Sequence, residues 1–170
     1  VNSIHPLPSH LINQIAAGEV IERPASVIKE LVDNGIDAGA ENIVVELGEG
    51  GLDFLSVVDD GTGIAVDEIH AAFKRHWTSK IAVYDDLDAI KSLGFRGEAL
   101  ASIAAVADVE IVTRTNSDAH AWRVVIGPNA GPTQPEPYQA PIGTAVRVQS
   151  LFHHIPARRR FLKRSRTEFL

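Results

Sequence analysis

Glu30 and Asn34 lie four residues apart, so on a helix their side chains stand one turn above the other. A carboxylate so placed polarises a water as a general base. An amide oxygen beside it ligates Mg²⁺, a hard cation that takes carbonyl and carboxylate oxygens together with water and phosphate. Asp59 ends the run Phe54-Leu55-Ser56-Val57-Val58, which reads as a buried strand, and is followed by Gly61 and Gly63. A carboxylate at a strand end accepts from an exocyclic amine such as that of adenine, and glycines beside it let the backbone approach a flat ligand. Gly94-Phe95-Arg96-Gly97 leads into Glu98-Ala99-Leu100, where backbone N–H groups ahead of a helix and a guanidinium suit phosphate. Taken singly, these groups equally describe a solvated helix face, an Asp-Gly turn and a helix-connecting turn. In this order they describe a nucleotide site. No Gly-x-x-x-x-Gly-Lys-Ser/Thr sequence occurs, which excludes a P-loop as the phosphate cradle.

The elements that must position these residues follow from periodicity. Pro24 suits a first helical turn, and beyond it Val27, Ile28, Leu31, Val32 and Ile36 fall on one arc, with Glu30, Asp33, Asn34 and Asp37 opposite. No lysine stands four residues after Glu30 to pair with it. Strands are expected near 42–48, 54–58, 108–114, 120–126 and 143–149, and helices near 66–76 and 98–106. A loop rich in Gly, Pro and Asn is expected from Gly127 to Ile142. Helices cluster early and strands late, so the sheet is not a doubly wound parallel one; the expected class is an α/β two-layer sandwich with a mixed sheet. The 170 residues suffice for a single domain with its own core, and 45% apolar with 22% charged content is ordinary for a globular chain.

The run Asn13-Gln14-Ile15-Ala16-Ala17-Gly18-Glu19-Val20-Ile21-Glu22-Arg23-Pro24 and the heptapeptide Gly94 to Leu100 resemble the motifs of the MutL family of DNA mismatch repair proteins. That family lies within the GHKL superfamily of gyrase, heat-shock chaperone, histidine kinase and MutL, and residues 4–170 follow its pattern. The resemblance implies a Bergerat ATP-binding fold and a Mg²⁺-dependent ATPase acting as a conformational switch. By position it implies that Glu30 is the general base, that Asn34 holds Mg²⁺, and that Asp59 bonds the adenine amine. It further implies that Gly63 lies against the nucleotide and that Thr144, after Gly143, belongs to the last nucleotide motif. Thr78, Ser79, Lys80, Arg96, Gly97 and Glu98 match lid and phosphate-contacting segments, with Gly94, Phe95, Ala99 and Leu100 completing the heptapeptide. An N-terminal arm over 1–11 and a lid region over 77–97 are expected within one domain, 1–170. A transducer domain supplying a lysine to the γ-phosphate and a C-terminal dimerisation domain are expected outside it, so hydrolysis by these residues alone is expected to be slow or absent. The implied partners are ATP, a second N-terminal region associating in response to ATP, a mismatch-recognition protein and downstream repair proteins.

Gly35 departs from the family pattern, where Ser or Ala is usual. Trp77 beside the lid and the pair His153-His154 depart as well. A net charge of −6 disfavours a whole-surface nucleic-acid binder, yet Arg158, Arg159, Arg160, Lys163, Arg164 and Arg166 crowd one end. That cluster reads as a solvated helix face, with weak contact to DNA phosphates as the rival. A nucleic-acid-binding or scaffold module with an idle nucleotide pocket is therefore the alternative to an ATPase. No cysteine is present, the seven histidines lack the spacing of a zinc cluster, and no apolar run approaches the roughly 20 residues needed to cross a bilayer. The expectation is a cytoplasmic protein of the bacterial cytosol or nucleoid, without a membrane partner.

Overall fold

The computed structural model describes residues 6, 8, 12, 15–17, 21–51, 53–74, 99–160 and 162. Helix α1 spans Pro24–Asp37, and strands β1 (Ile43–Gly48) and β2 (Phe54–Asp59) form a hairpin around a 3-10 turn at Glu49–Gly51. Short helices α2 (Ile69–Ala72) and α3 (Ala99–Ala104) precede β3 (Asp108–Arg114), β4 (Ala121–Ile126), β5 (Glu136–Tyr138) and β6 (Gly143–Gln149). Helix α4 (Pro156–Arg159) follows.

The sheet order is β1-β2-β6-β3-β4-β5. The two-layer α/β architecture is as expected, but the mixed sheet is not: every pairing among the described strands is antiparallel. Strands β2 and β3 do run in the same direction, joined through the helices, but β6 inserts between them and pairs antiparallel with both. The crossover that would make a parallel ladder therefore has no ladder to make.

Register shows how the sheet is built. Leu55, Val148, Val109 and Ile126 line up across four strands, and Val57, Val146, Ile111 and Val124 form the next row. These two rows face the helices, and six of the eight side chains are buried to within a few per cent of full coverage, Leu55 and Ile111 completely. Each fully buried aliphatic side chain contributes about 1.5–3 kcal/mol, so this face holds the layers together. The opposite face mixes polar and apolar residues: Arg123 pairs with Glu110 at 2.5 Å and with Glu136, Arg147 lies over the Phe54 ring, and Val44, Val58 and Val112 share a row.

Helix α1 differs from its expected wheel. The buried line is Pro24, Val27, Leu31 and Gly35, while Ile36 is 51% exposed and Asp33 is buried. Gly35 takes the inward position in the last turn, which rotates Ile36 outward. Asp33 leaves the acidic stripe because Lys29, four residues earlier, bonds it at 2.6 Å; with Lys29 mostly exposed, that pair adds little stability. Of the helix expected over 66–76, the described residues are regular at Ile69–Ala72, with a turn ahead of it closed by the Ala65 carbonyl; 75 and 76 lie outside the described residues. Strand β5 lies inside the expected loop; Pro137 disguised it, and proline is tolerated there because the strand is a fully exposed sheet edge.

Ile111→Ala at the centre of the second row is expected to lower stability by about 2–5 kcal/mol, the range for aliphatic truncation in a close-packed core. Urea unfolding measures it, and a loss below about 1 kcal/mol contradicts a sealed face.

Candidate nucleotide site

The third row of the helix-facing side is different in kind. In register with one another stand Ile43, Asp59, Thr144, Thr113 and Trp122, one from each of β1, β2, β6, β3 and β4. An apolar face thus ends in a carboxylate and two hydroxyls side by side. Asp59 and Thr144 are half-buried, whereas Thr113 is completely covered.

Each polar group in the row is held by the backbone around it. The Gly61 amide donates to Asp59 Oδ1 at 2.9 Å. Thr113 Oγ1 accepts from the Ile64 amide at 2.8 Å, donates to the Gly143 carbonyl at 3.2 Å, and lies 3.1 Å from Thr144 Oγ1. Thr113 was not singled out by motif reading. The available signal was alternation, since Val109, Ile111 and Thr113 share one face and a hydroxyl there continues a buried line.

Two glycines let the loops close over the row. Gly63 has φ +74, and a Cβ on it would overlap the Arg114 carbonyl; Gly143 has φ +123, and a Cβ there would overlap the Asp59 carbonyl. No other residue takes both the left-handed backbone and the contact. Arg114 is fixed in turn, its guanidinium donating to the carbonyls of Asp118 and Ala140 at 3.3 Å, while Asp118 bonds the Thr115 amide and hydroxyl.

Helix α1 reaches the row at Gly35, where an added Cβ would sit 3.2 Å from Asp59 Cβ and 3.0 Å from the Ile43 side chain. A larger residue there would need one of them to give by a few tenths of an ångström, so the glycine permits this close contact. Asn34, Glu30 and Asp37 lie along one flank of the buried line, all partly exposed, at the border between packing and solvent. Glu30 and Asn34 therefore share the helix that contacts Asp59, about 6 Å apart along its axis.

The adjacent aspartates have separate tasks. Asp60 accepts from the Glu41 and Asn42 amides at 2.8 and 2.9 Å and from Asn42 Nδ2 at 2.8 Å, tying the helix exit to the turn. The Asn42 side-chain bond, then its backbone bond, hold the Asp60 carboxyl below its ordinary range. Burial pushes the Asp59 carboxyl the other way, above its ordinary range; the Gly61 and Thr144 backbone amides pull against that, and the neighbouring Asp60 charge adds to it. Asp59 is therefore a carboxylate kept partly desolvated, which makes it a candidate for ligand recognition.

Ala99 and Leu100 begin α3, with Leu100 packed against the core. Thr78, Ser79, Lys80, Gly94, Phe95, Arg96, Gly97 and Glu98 lie outside the described residues, as do Lys163, Arg164 and Arg166 and the whole lid region 77–97. Of the basic cluster, Arg158 is committed internally, donating to the Ile21 carbonyl at 3.1 Å and lying over the Phe152 ring. Arg159 contacts His153 Nδ1. A cavity of about 650 Å³ lies at the other end of β4, lined among others by Phe73, Lys74, Ala101, Ala104, Ile126 and Pro128. Its lining has no carboxylate or hydroxyl side chain, whereas the row has both. Among the described residues no group of three or more His, Asp or Glu forms a metal cage, and no helix is long and apolar enough to cross a membrane.

The histidine kinase-, DNA gyrase B- and HSP90-like ATPase family matches residues 21–130. The DNA mismatch repair protein MutL of Histophilus somni is 52% identical over 167 residues, covering 98% of this chain and 27% of that protein. MutL of Ralstonia nicotianae is 50% identical over 165 residues, 97% of this chain and 25% of its own length. The chain thus spans about a quarter of the curated relatives it matches. Among solved structures, the N-terminal domain of a DNA repair protein superposes with TM-score 0.76 at 31% identity, covering 93% of this chain and 45% of that one. The Aquifex aeolicus MutL ATPase domain complexed with ADP gives 0.65 at 30% identity, covering 88% and 51%.

The raised Asp59 carboxyl sets a pH dependence. The unfolded group has its ordinary affinity for a proton and the folded one a higher affinity, so stability falls as pH rises through the ordinary carboxylate range to the raised value. Asp59→Asn, whose Oδ1 still accepts from Gly61, removes this burden. At pH 7 its ligand-free melting point should equal or exceed that of the wild type, and the difference should shrink as pH falls through the raised value toward about 4, by which the folded wild-type carboxyl is largely protonated. A variant less stable at both pH values contradicts the assignment.

Proposed function

The chain belongs to the histidine kinase-, DNA gyrase B- and HSP90-like ATPases, in their MutL branch, and on that premise we propose that it binds and hydrolyses ATP as a Mg²⁺-dependent conformational switch in DNA mismatch repair. The observation that carries this reading is the polar row: a half-buried carboxylate and hydroxyl end an apolar sheet face, with Gly143 packed on the Asp59 backbone and Gly63 on that of Arg114. Asp59 accepts from the adenine amine, and Thr144 completes the base-binding edge. Glu30 takes the proton of the attacking water, and Asn34 offers its amide oxygen to the metal.

The donor set suits Mg²⁺. This cation is usually held by one or two protein oxygens together with substrate phosphates and water, and the Asn34 amide would supply one such oxygen. When bound it neutralises charge on the phosphates. The chain's own task is to hold the base at Asp59 and the water at Glu30, two points joined by the rigid Gly35 contact. The remaining phosphate contacts fall to Thr78, Ser79, Lys80 and the Gly94–Leu100 heptapeptide.

Binding acts as a switch if ATP makes contacts in one state that it does not make in the other, which then shifts their populations. In the whole protein this drives self-association of N-terminal regions and signalling to a mismatch-recognition protein and downstream repair proteins, in the bacterial cytosol or nucleoid. Among the described residues Arg158, donating to the Ile21 carbonyl and lying over the Phe152 ring, is the one member of the basic cluster drawn into the fold by these contacts.

A non-hydrolysable ATP analogue with Mg²⁺, at a hundred times its dissociation constant, should stabilise the fold by roughly 2.7 kcal/mol. Asp59→Ala should abolish that shift, and an unchanged melt of the wild type refutes nucleotide binding. In a longer protein carrying this region, Glu30→Ala should eliminate hydrolysis and spare binding. The 170 residues alone should turn over slowly or not at all, and turnover equal to that of the longer protein contradicts this.

A further inference from the structure

Thr113 is fully buried, and three groups converge on its hydroxyl: the Ile64 amide, the Gly143 carbonyl and the Thr144 hydroxyl. A threonine hydroxyl has one proton and two lone pairs. The Ile64 N–H can only donate, and occupies one lone pair. The Gly143 carbonyl can only accept, and takes the proton. What remains for Thr144 is the second lone pair, so Thr144 donates to Thr113 and its own lone pairs are left for a ligand.

From this census we infer that Thr113 is a positioning residue that fixes the Thr144 hydroxyl as an acceptor beside the Asp59 carboxylate, and that this pair of acceptors selects an amino purine over a keto purine. The inference rests on the proposed reading of the row as the base-binding edge and names what sets its specificity. A 6-amino group brings two N–H donors to two acceptors. A 6-keto oxygen in the same place meets two acceptors with nothing to donate, and the half-buried carboxylate gains no donor from it in exchange for the water it loses. Without the Thr113 hydroxyl, Thr144 is free to rotate and donate to a keto oxygen, so discrimination weakens although Asp59 is unchanged.

The test is the ratio of dissociation constants for ATP and GTP, both with Mg²⁺, in the wild type, Thr113→Val and Thr113→Ser. The wild type should prefer ATP by about 100-fold or more, Thr113→Val should lose about tenfold of that preference, and Thr113→Ser should stay within about threefold of the wild type. A purely structural role for Thr113 would weaken both nucleotides together and leave the ratio alone. If the Val form does not fold, Thr113→Cys takes its place, because a thiol is a weak donor and acceptor in the same space. A wild type that binds neither nucleotide overturns the site itself. A wild type that prefers ATP, with a folded Val or Cys variant that keeps the full preference, overturns this inference and leaves the site standing.

Discussion

The constraint on which the rest depends is that the helix-facing side of the sheet must be dry along most of its length and polar at one end. Two rows of Val, Ile and Leu seal the layers, and the third row sets Asp59, Thr144 and Thr113 in the same plane. Polar groups at the edge of an apolar face are destabilising unless they are hydrogen-bonded. Here the backbone supplies the bonds: Gly61 to Asp59, and Ile64 and Gly143 to Thr113. The turn after β2 and the start of β6 are therefore both part of the scaffold and part of the site.

That arrangement explains why neighbouring residues of the same type behave differently. Asp60 points to the 41–42 backbone, gains three hydrogen bonds and is the more acidic. Asp59 faces the helix layer, loses water and is the less acidic. One carboxylate contributes to the fold, and the other is partly desolvated at the fold's expense. Gly35 belongs to the same design, since its missing side chain lets α1 meet β2 where Asp59 stands.

Much of this was legible from residue types. The helix from Pro24, the strand ending at Asp59 and the Asp-Gly-Thr-Gly turn all follow local periodicity and turn chemistry, and the structure places them within a residue or two. What was not legible depended on partners distant in sequence. Thr113 matters because β6 lies beside β3, and nothing local in Asp108–Arg114 says so. The same insertion of β6 made the sheet antiparallel. Asp33 looked like part of an acidic stripe because helical wheels ignore the i,i+4 lysine behind it, and β5 was hidden by its proline. Glu30 and Asn34 were legible as a pair one turn apart, and both lie partly exposed on one flank of α1.

The most direct measurement is a crystal structure of the protein with a non-hydrolysable ATP analogue and Mg²⁺. The account predicts the adenine amine within hydrogen-bonding distance, about 2.7–3.2 Å, of an Asp59 carboxylate oxygen, with Thr144 beside it and the metal at the Asn34 oxygen. An adenine seated among Phe73, Ile126 and Pro128, with Asp59 still facing only Gly61 and water, would contradict it.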